Sequence, residues 1–232
     1  MKYTVVIACL TLLFSCGDRR EAGPPITDTK KANTSKAEML QAEITMAAGE
    51  LNIEGGGKQE VNAELRYSSG GLVPGFRFDD SSFRARLVVD QPQNQSGNLK
   101  FEEDKWRIQL PDGLATDLEV AMGAGEARLK LGSLDLRKVN LKMGAGKVVA
   151  DFTGEPKRDF EVRIQGGVGE CEVTLPKSAG IHAEATGGLG SVDVDGLEKK
   201  GSYYENAAFS QAGPKIRLSV QGGVGSIKIF VR

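Results

Sequence analysis

Side chains that could carry chemistry are few in this chain of 232 residues. His182 is the one histidine, and it stands at an outward position of an alternating segment, which favours a solvated strand residue over a catalytic base or a metal ligand. Because no second histidine exists, the sequence offers no Ser-His-Asp set, no Cys-His pair and no thermolysin-type zinc site. We therefore assign no catalytic residue and expect a protein that is not an enzyme.

The acidic residues and the glycine-rich segments also predict no metal site. The outward carboxylates are scattered and form no pair of the kind that cleaves glycosides: Glu126, Glu170, Glu172 and Asp193. The G-G-x-G segments resemble the calcium-binding repeat G-G-x-G-x-D. The aspartate position of that repeat is filled here by Cys171, Val192 and Ile227, so calcium would have no ligand. We expect no metal and no cofactor.

A group of basic residues is the surface feature that suggests a ligand. Four side chains occupy outward positions in two neighbouring repeats: Arg128, Lys130, Lys142 and Lys147. Because stacked strands lie about 4.8 Å apart, these cations could form a patch for an anionic envelope polymer, a lipid head group or an acidic partner. The alternative is a solvated face of mixed charge, which the sequence favours. Both interpretations stay open at this point.

A glycine-centred pattern recurs in the second half of the chain and must position these side chains. Its five copies read LEVAMGAGEARLKL, VNLKMGAGKVVADF, VRIQGGVGECEVTL, AEATGGLGSVDVDG and LSVQGGVGSIKIFV. The second glycine of each G-x-G falls at Gly125, Gly146, Gly169, Gly190 and Gly225, with steps of 21, 23, 21 and 35 residues. Such a period is typical of repeat proteins. Glycine between two strands suits a sharp corner, where φ is positive or no Cβ fits.

Alternation on both sides of the glycines predicts strands with one buried face. Counted from the second glycine, the residues at −7, −5, +2 and +4 are apolar in all five copies, and most residues between them are polar. Stacked repeats would align the apolar positions into ladders of equivalent side chains. We therefore predict an all-β fold in which residues 112–232 form a β-solenoid, a stack of coils with G-x-G corners. Solenoids commonly offer binding surfaces.

Residues 38–111 keep the β character but lose the regular repeat. A degenerate copy has Ala47 in place of the first glycine and apolar residues at the inner positions. Further alternating segments are separated by turn-rich stretches. We expect an N-terminal cap domain of antiparallel strands over the first coil, because the exposed edge of a terminal coil would promote aggregation. An insertion at 199–214, which contains Tyr203, is expected to form a flap or a second cap.

The N-terminus has the features of a bacterial export signal. Lys2 precedes an apolar run of about ten residues, which is too short to span a bilayer. The run ends in Leu13-Phe14-Ser15-Cys16, which resembles the lipobox of lipoproteins. In such proteins the cysteine carries a diacylglyceryl thioether and an N-acyl chain, and two or more acyl chains anchor a protein stably. We predict a signal peptide at 1–15 and lipid attachment at Cys16. The alternative is an ordinary cleaved signal with an incidental cysteine.

Cysteine use agrees with this leader. Cys9 would leave with the signal and Cys16 would be acylated, so Cys171 would remain as a lone thiol and no disulfide framework is expected. Cys171 stands at an inner position that is held elsewhere by alanine, valine or isoleucine. This favours a small buried hydrophobic residue over a nucleophile.

The segment after the lipid site has the composition of a linker. Residues 16–37 are polar, contain two prolines and show no apolar period, so we predict a flexible, lipidated tether. Without the leader the chain has 29 basic and 31 acidic residues. A protein so close to neutral is not expected to bind nucleic acid.

The chain resembles the toast-rack family, which comprises extracytoplasmic domains of LiaF-like cell-envelope stress proteins and of adhesin-like bacterial lipoproteins. The resemblance rests on AEITMAAGELNIEGG, WRIQLPDG and DLEVAMGAGEARLKLGSLDLRKVNLKMGAGKVVADF, and it covers residues 38–231. It implies the same solenoid fold. It transfers no catalytic residues to this chain.

Two functions are compatible with these observations. The first is a non-enzymatic, membrane-anchored envelope lipoprotein that presents a solenoid surface to a protein or envelope-polymer partner, with a role in cell-envelope stress sensing. The second is a surface adhesin or structural spacer without a signalling role. Both place the protein outside the cytoplasm, held by its N-terminal lipid at the periplasmic or cell-surface face of a bacterial membrane. No small-molecule substrate is indicated.

Overall fold

The computed structural model describes residues 23–69, 71–91 and 104–232. The predicted signal peptide and Cys16 lie outside the described residues. Within the described ranges the chain forms strands and one short 3-10 helix, Ala207–Ser210. The strands are β1 Ile26–Asn33, β2 Met39–Gly57, β3 Glu60–Tyr67, β4 Gly75–Asp79, β5 Arg84–Asp90, β6 Lys105–Pro111, β7 Ala115–Lys130, β8 Asp135–Asp151, β9 Phe160–Leu175, β10 Gly180–Asp195, β11 Glu198–Lys200, β12 Tyr203–Glu205 and β13 Lys215–Val231.

Six long strands form the body of the protein, and each carries one copy of the repeat. They are β2, β7, β8, β9, β13 and β10, which pair in parallel with their glycines in register. Gly49 of β2 lies opposite Gly125 of β7, so the degenerate copy is a full member of the stack. We call each long strand a coil, the part before its glycines the first arm, and the part after them the second arm. The predicted all-β fold of stacked coils is confirmed.

The hydrophobic core lies between the two arms. A small interior space is lined from both of them, by Met143 and Val148 of β8 and by Ile164 and Cys171 of β9. Along the stack, the inner residues of both arms belong to one continuous hydrophobic cluster. The alternation that predicted one buried and one solvated face is therefore reproduced in the coils.

The order of the coils in the sheet differs from the order of the repeats in the chain. The sheet runs β2-β7-β8-β9-β13-β10, so the last strand inserts between β9 and β10. A long connection, which holds β11, β12 and the short helix, gives the chain the length to return. Burial supplies a physical reason, because β13 has bulkier inner residues than β10. Those of β13 are buried and those of β10 are half exposed: Val220, Ile227 and Ile229 against Ala185, Val192 and Val194.

The first coil, β2, lies within the predicted cap region 38–111, and other strands of that region cover it in parallel, where the sequence predicted an antiparallel cap. Strand β5 lies along the first arm of β2 and β6 along its second arm, both in parallel. The antiparallel pairings lie further out, between β4 and β5, β3 and β6, and β1 and β3. Trp106 of β6 is fully buried at this end. Since β2 also pairs with β7 along its length, residues 38–111 and 112–232 share one sheet.

Part of the predicted tether is folded. Residues 26–33 form β1, which pairs antiparallel with β3 over its whole length. The prediction of a flexible tether is therefore wrong for this segment. The pattern did not reveal the strand because β1 buries one residue, Ala32, and is held mainly by backbone hydrogen bonds, which need no apolar period.

Candidate functional site

The five corner glycines have a structural role. Each adopts a positive φ, between +118° and +142°, where residues with a side chain are rarely found. A Cβ on any of them would overlap the carbonyl oxygen of the equivalent glycine in the adjoining coil. The pairs are Gly125 on Gly49, Gly146 on Gly125, Gly169 on Gly146, Gly225 on Gly169, and Gly190 on Gly225. Glycine at these positions allows the backbones of successive coils to stack at the corner.

The four predicted cations do not form one patch. Arg128 and Lys130 lie on the second arm of β7, beside a cleft shared with β1, β3 and β6. Lys147 also lies on a second arm, that of β8. Lys142 lies on the first arm of β8 and lines a different cleft. The G-x-G corner thus separates Lys142 from the other three.

Acidic residues accompany these cations. Three of them make ion pairs: Arg128 with Glu126 at 2.7 Å, Lys147 with Glu170 at 3.5 Å, and Lys142 with Glu119 at 4.0 Å. Lys130 lies in register between Glu54 of β2 and Asp151 of β8. This arrangement is a face of mixed charge, in which exposed pairs contribute little to stability. Binding of an anionic partner at these cations stays a prediction.

Cys171 is a half-buried residue that borders the core. It lies on the inner side of β9, in register with Val148 of β8 and Ile227 of β13, and it packs against the core. Burial raises the pKa of its thiol to about 12. The thiolate, which is the reactive form, is therefore negligible near neutral pH.

A polar and aromatic cluster surrounds His182, where the sequence predicted a solvated residue. The insertion at 199–214 folds into the hairpin of β11 and β12 and the short helix, and it covers the start of β10. His182 Nδ1 lies 2.8 Å from Glu205 Oε1. The imidazole ring stacks on Tyr203, with centroids 4.7 Å apart, and meets Phe209 at 5.5 Å. His182 is half-buried as a result.

Glu205 is the electrostatic centre of this cluster. Its hydrogen bond with His182 is the main reason why the pKa of Glu205 lies below its ordinary value, and Lys200, whose Nζ lies 3.2 Å away, adds to the effect. Asn206 fixes the hairpin further, because its side chain accepts a hydrogen bond from the amide of Ile181 and donates one to the carbonyl of Ala179. The cluster therefore fastens the flap to β10.

One signal for this cluster was present in the sequence. Tyr203, Tyr204 and Phe209 place three aromatic rings in an otherwise polar insertion. The contacts of Tyr203 and Phe209 with His182 depend on the antiparallel register that sets His182 opposite Glu205. That register is a tertiary property, and residue spacing does not reveal it.

Among the residues that the structure describes, strand β10 leaves an open edge at the end of the stack. On one side it pairs with β13 along its length, and on the other side β12 reaches only His182 and Ala183. Next to this edge, the middle residue of the corner is apolar and exposed in three successive coils: Val168, Val224 and Leu189. We call these three residues the corner ridge.

Two kinds of site are missing from the described part of the chain. No three side chains of histidine, cysteine, aspartate or glutamate lie together there in a way that could hold a metal ion. No helix among these residues has the length and apolarity needed to cross a bilayer.

Comparison with a protein family identifies this arrangement of coils. The profile described as the N-terminal domain of toast_rack, DUF2154, matches residues 21–174, which is more than half of the chain. The chain belongs to the toast-rack family. The match extends from the residues before β1 almost to the end of β9, so it spans the cap and the first four coils of this toast-rack protein. The resemblance observed in the sequence is confirmed.

Solved structures extend the comparison to the rest of the toast-rack chain. A candidate cell adhesion protein from Clostridium sporogenes is 30% identical, with 90% of this chain and 100% of that one covered and a TM-score of 0.86. Candidate adhesins from Bacteroides fragilis and Parabacteroides distasonis are 11% and 13% identical, each covering 88% of this chain and 97% of their own, with TM-scores of 0.30 and 0.25. These two carry no argument about this chain. No curated protein matches it.

Proposed function

We propose that this toast-rack protein is a non-enzymatic envelope lipoprotein that presents its β-solenoid as a binding scaffold. The observation that supports this most directly is its similarity, over 90% of the chain, to the candidate cell adhesion protein of Clostridium sporogenes. The stacked coils suit such a role, because solenoids offer extended surfaces that are supported from behind by a continuous core. The partner in this proposal is a protein or an envelope polymer.

In this proposal the lipid on Cys16 sets the distance to the membrane. Because β1 begins at Ile26, the tether comprises residues 17–25 and not the whole predicted segment. Nine residues reach at most about 30 Å when fully extended. The β1 edge of the sheet therefore stays near the membrane, and β10 lies towards the opposite edge of the same sheet.

The scaffold can serve one of two roles. One is cell-envelope stress sensing through a membrane regulator. The other is surface adhesion or spacing without signalling, and the description of the Clostridium sporogenes protein favours it. The two roles differ in the partner and in its response to stress.

In-cell crosslinking tests the proposal. Photo-reactive side chains at Arg128, Lys142 and Glu170 would capture partners in membranes harvested before and after treatment with a cell-wall antibiotic, with identification by mass spectrometry. We expect the full chain in the membrane fraction and the Cys16→Ser control in the soluble fraction. A membrane kinase or transporter gained or lost under stress supports sensing. Capture of surface proteins or polysaccharide, unchanged by stress, supports adhesion. A Cys16→Ser variant that stays with the membrane contradicts lipid anchoring.

A further inference from the structure

We propose that the free edge of β10 is a strand-addition site, which takes a basic, extended segment of another protein as a further parallel coil. The proposal rests on the scaffold function proposed above and names the chemistry of the partner. Three observations support it. They are the difference between the two ends of the stack, the side chains along β10, and the parallel pairing of β13 with β10.

The N-terminal end of the stack is closed. Strands β5 and β6 cover both arms of β2. At the corner between them, the Gln91 side chain accepts a hydrogen bond from the amide of Ala47 at 2.7 Å, and the carbonyl of Asp104 accepts one from the amide of Glu50 at 2.9 Å. These contacts supply partners for backbone groups that would otherwise form an exposed edge.

The β10 end of the stack is open. In the part of the chain that the structure describes, no strand pairs with the outer edge of β10 from Glu184 to Asp195. An edge strand in this state presents backbone N–H and C=O groups to a further strand, and recognition by strand addition uses such edges. The flap closes the first few residues of β10 and stops there.

Apolar side chains are exposed along this edge. The inner residues Ala185, Val192 and Val194 are half exposed, although the residues that pair with them on β13 are buried. Leu189, the corner-ridge residue that lies on β10, is 72% exposed. In the three coils farthest from this end, the equivalent corner residue is alanine. Apolar exposure at the corner is therefore greatest at the open end, where an added coil would cover it.

The charge on the edge argues against a second copy of this chain. A two-fold antiparallel pairing that sets Ala185 opposite Val192, inner residue to inner residue, also sets Glu184 opposite Asp193 twice. Like charges directly opposite each other destabilise a strand pair. The same pairing would set Val194 of the second copy opposite Ala183. Strand β12 already pairs with Ala183 on this side, so that position is occupied.

Strand β13 shows what β10 accepts as a neighbour. It pairs in parallel, with Lys228 opposite Asp193 and Gly225 opposite Gly190. A coil on the free side would meet the outward carboxylates of Glu184 and Asp193. In each of the six coils, a Cβ at the second corner glycine would overlap a carbonyl oxygen of the adjoining stretch of chain. An added segment that crosses the corner of β10 therefore needs glycine at the equivalent position. The segment is therefore apolar inward, basic outward and interrupted by G-x-G.

A peptide with this pattern tests the proposal. The probe is a fluorescent peptide with the sequence of residues 219–231, SVQGGVGSIKIFV, added to the mature full chain in detergent, with binding followed by anisotropy. We expect saturable binding that Asp193→Lys weakens about fivefold. The Lys228→Glu peptide should regain affinity for that variant. Glu119→Lys, which makes the same charge change on β7, should leave binding unchanged. The peptide with Gly225→Val should bind far more weakly.

Several outcomes would overturn the site. Binding no stronger than that of a scrambled peptide, or equal losses in Asp193→Lys and Glu119→Lys, would remove it. Self-association of the full chain that Asp193→Lys strengthens, by placing a lysine opposite Glu184, would replace the foreign strand with a second copy. Failure of the site is separable from failure of the scaffold function. If crosslinkers at Arg128 or Glu170 capture a partner in cells and one at Leu189 captures none, the scaffold stands and the β10 site does not.

Discussion

A corner glycine serves two purposes that can be separated by mutation. It adopts a positive φ, and it leaves room for the carbonyl oxygen of the neighbouring coil. Gly146 combines both requirements in the middle of the stack. Gly201 has a φ of +65° and no atom within 4 Å of an added Cβ, and Gly113 has neither constraint. These three glycines therefore form a graded series.

We expect Gly146→Ala to lower the free energy of unfolding by at least about 2 kcal/mol, because backbone strain and atomic overlap add. Gly201→Ala should cost about 1 kcal/mol from strain alone. Gly113→Ala should stay within about 0.5 kcal/mol of the parent protein. Urea unfolding followed by circular dichroism measures all three. Equal effects at Gly146 and Gly113 would contradict the stacking role of the corner glycines.

Single residues differ in how far their roles could be predicted. The corner position of the glycines and the inner position of Cys171 were predictable, because equivalent residues recur at the same place in each copy of the repeat. His182 was not, because its partner Glu205 comes from an insertion without a counterpart in the other repeats. The cations were predicted to face outward, but the corner between Lys142 and Lys147 and the carboxylates beside them appear only in the sheet.

Among the elements, the flap is attached to β10 partly through a titratable carboxylate, Glu205. The hydrogen bond with His182 lowers the pKa of Glu205, so the charged form stabilises the fastened flap. For a lowered pKa, this contribution is complete above the ordinary value of 4.5 and is lost as the pH falls through the lowered value.

We expect the flap to loosen in acid before the coils do. The protection factor of the Asn206 amide, which donates to the carbonyl of Ile181, should fall in the parent protein as the pH drops below the ordinary Glu205 pKa of 4.5, once exchange rates are corrected for the intrinsic pH dependence of amide exchange. In Glu205→Gln the protection factor should already be low at neutral pH and should change little with acid. Glu198→Gln, directly opposite Glu205 in the same hairpin, is the matched control; it removes a like charge and should leave the flap at least as well fastened as in the parent. Acid-induced loosening that persists in Glu205→Gln would assign the effect to another group.

For the whole molecule, the asymmetry of the stack has consequences for dynamics. Each coil contacts its two neighbours in the sheet, so the stability of a coil depends on how both of its edges are covered. Within the described parts of the chain, the second arm of β2 is covered by β6, whereas the second arm of β10 has an open edge.

We expect the second arm of β10 to open more readily than that of β2. Amides in residues 191–195 should exchange at least about tenfold faster than those in residues 50–54, because the former lack a second strand. Hydrogen exchange with mass spectrometry on the full chain measures both segments at once. Similar protection at the two ends would mean that another part of the chain covers β10, and it would weaken the case for a strand-addition site.

The all-β class, the repeat, the corner glycines and the inner ladders could be predicted from the sequence, because each follows from local alternation and from the steric needs of glycine. Which coil lies at the end of the stack depends on the complete fold. The insertion of β13 between β9 and β10 depends on how much apolar surface each strand buries in competition with the others, and no local pattern encodes that comparison. The edge strand formed by the polar residues 26–33 also depends on the complete fold, because it is held by backbone hydrogen bonds to β3, which do not depend on side-chain type.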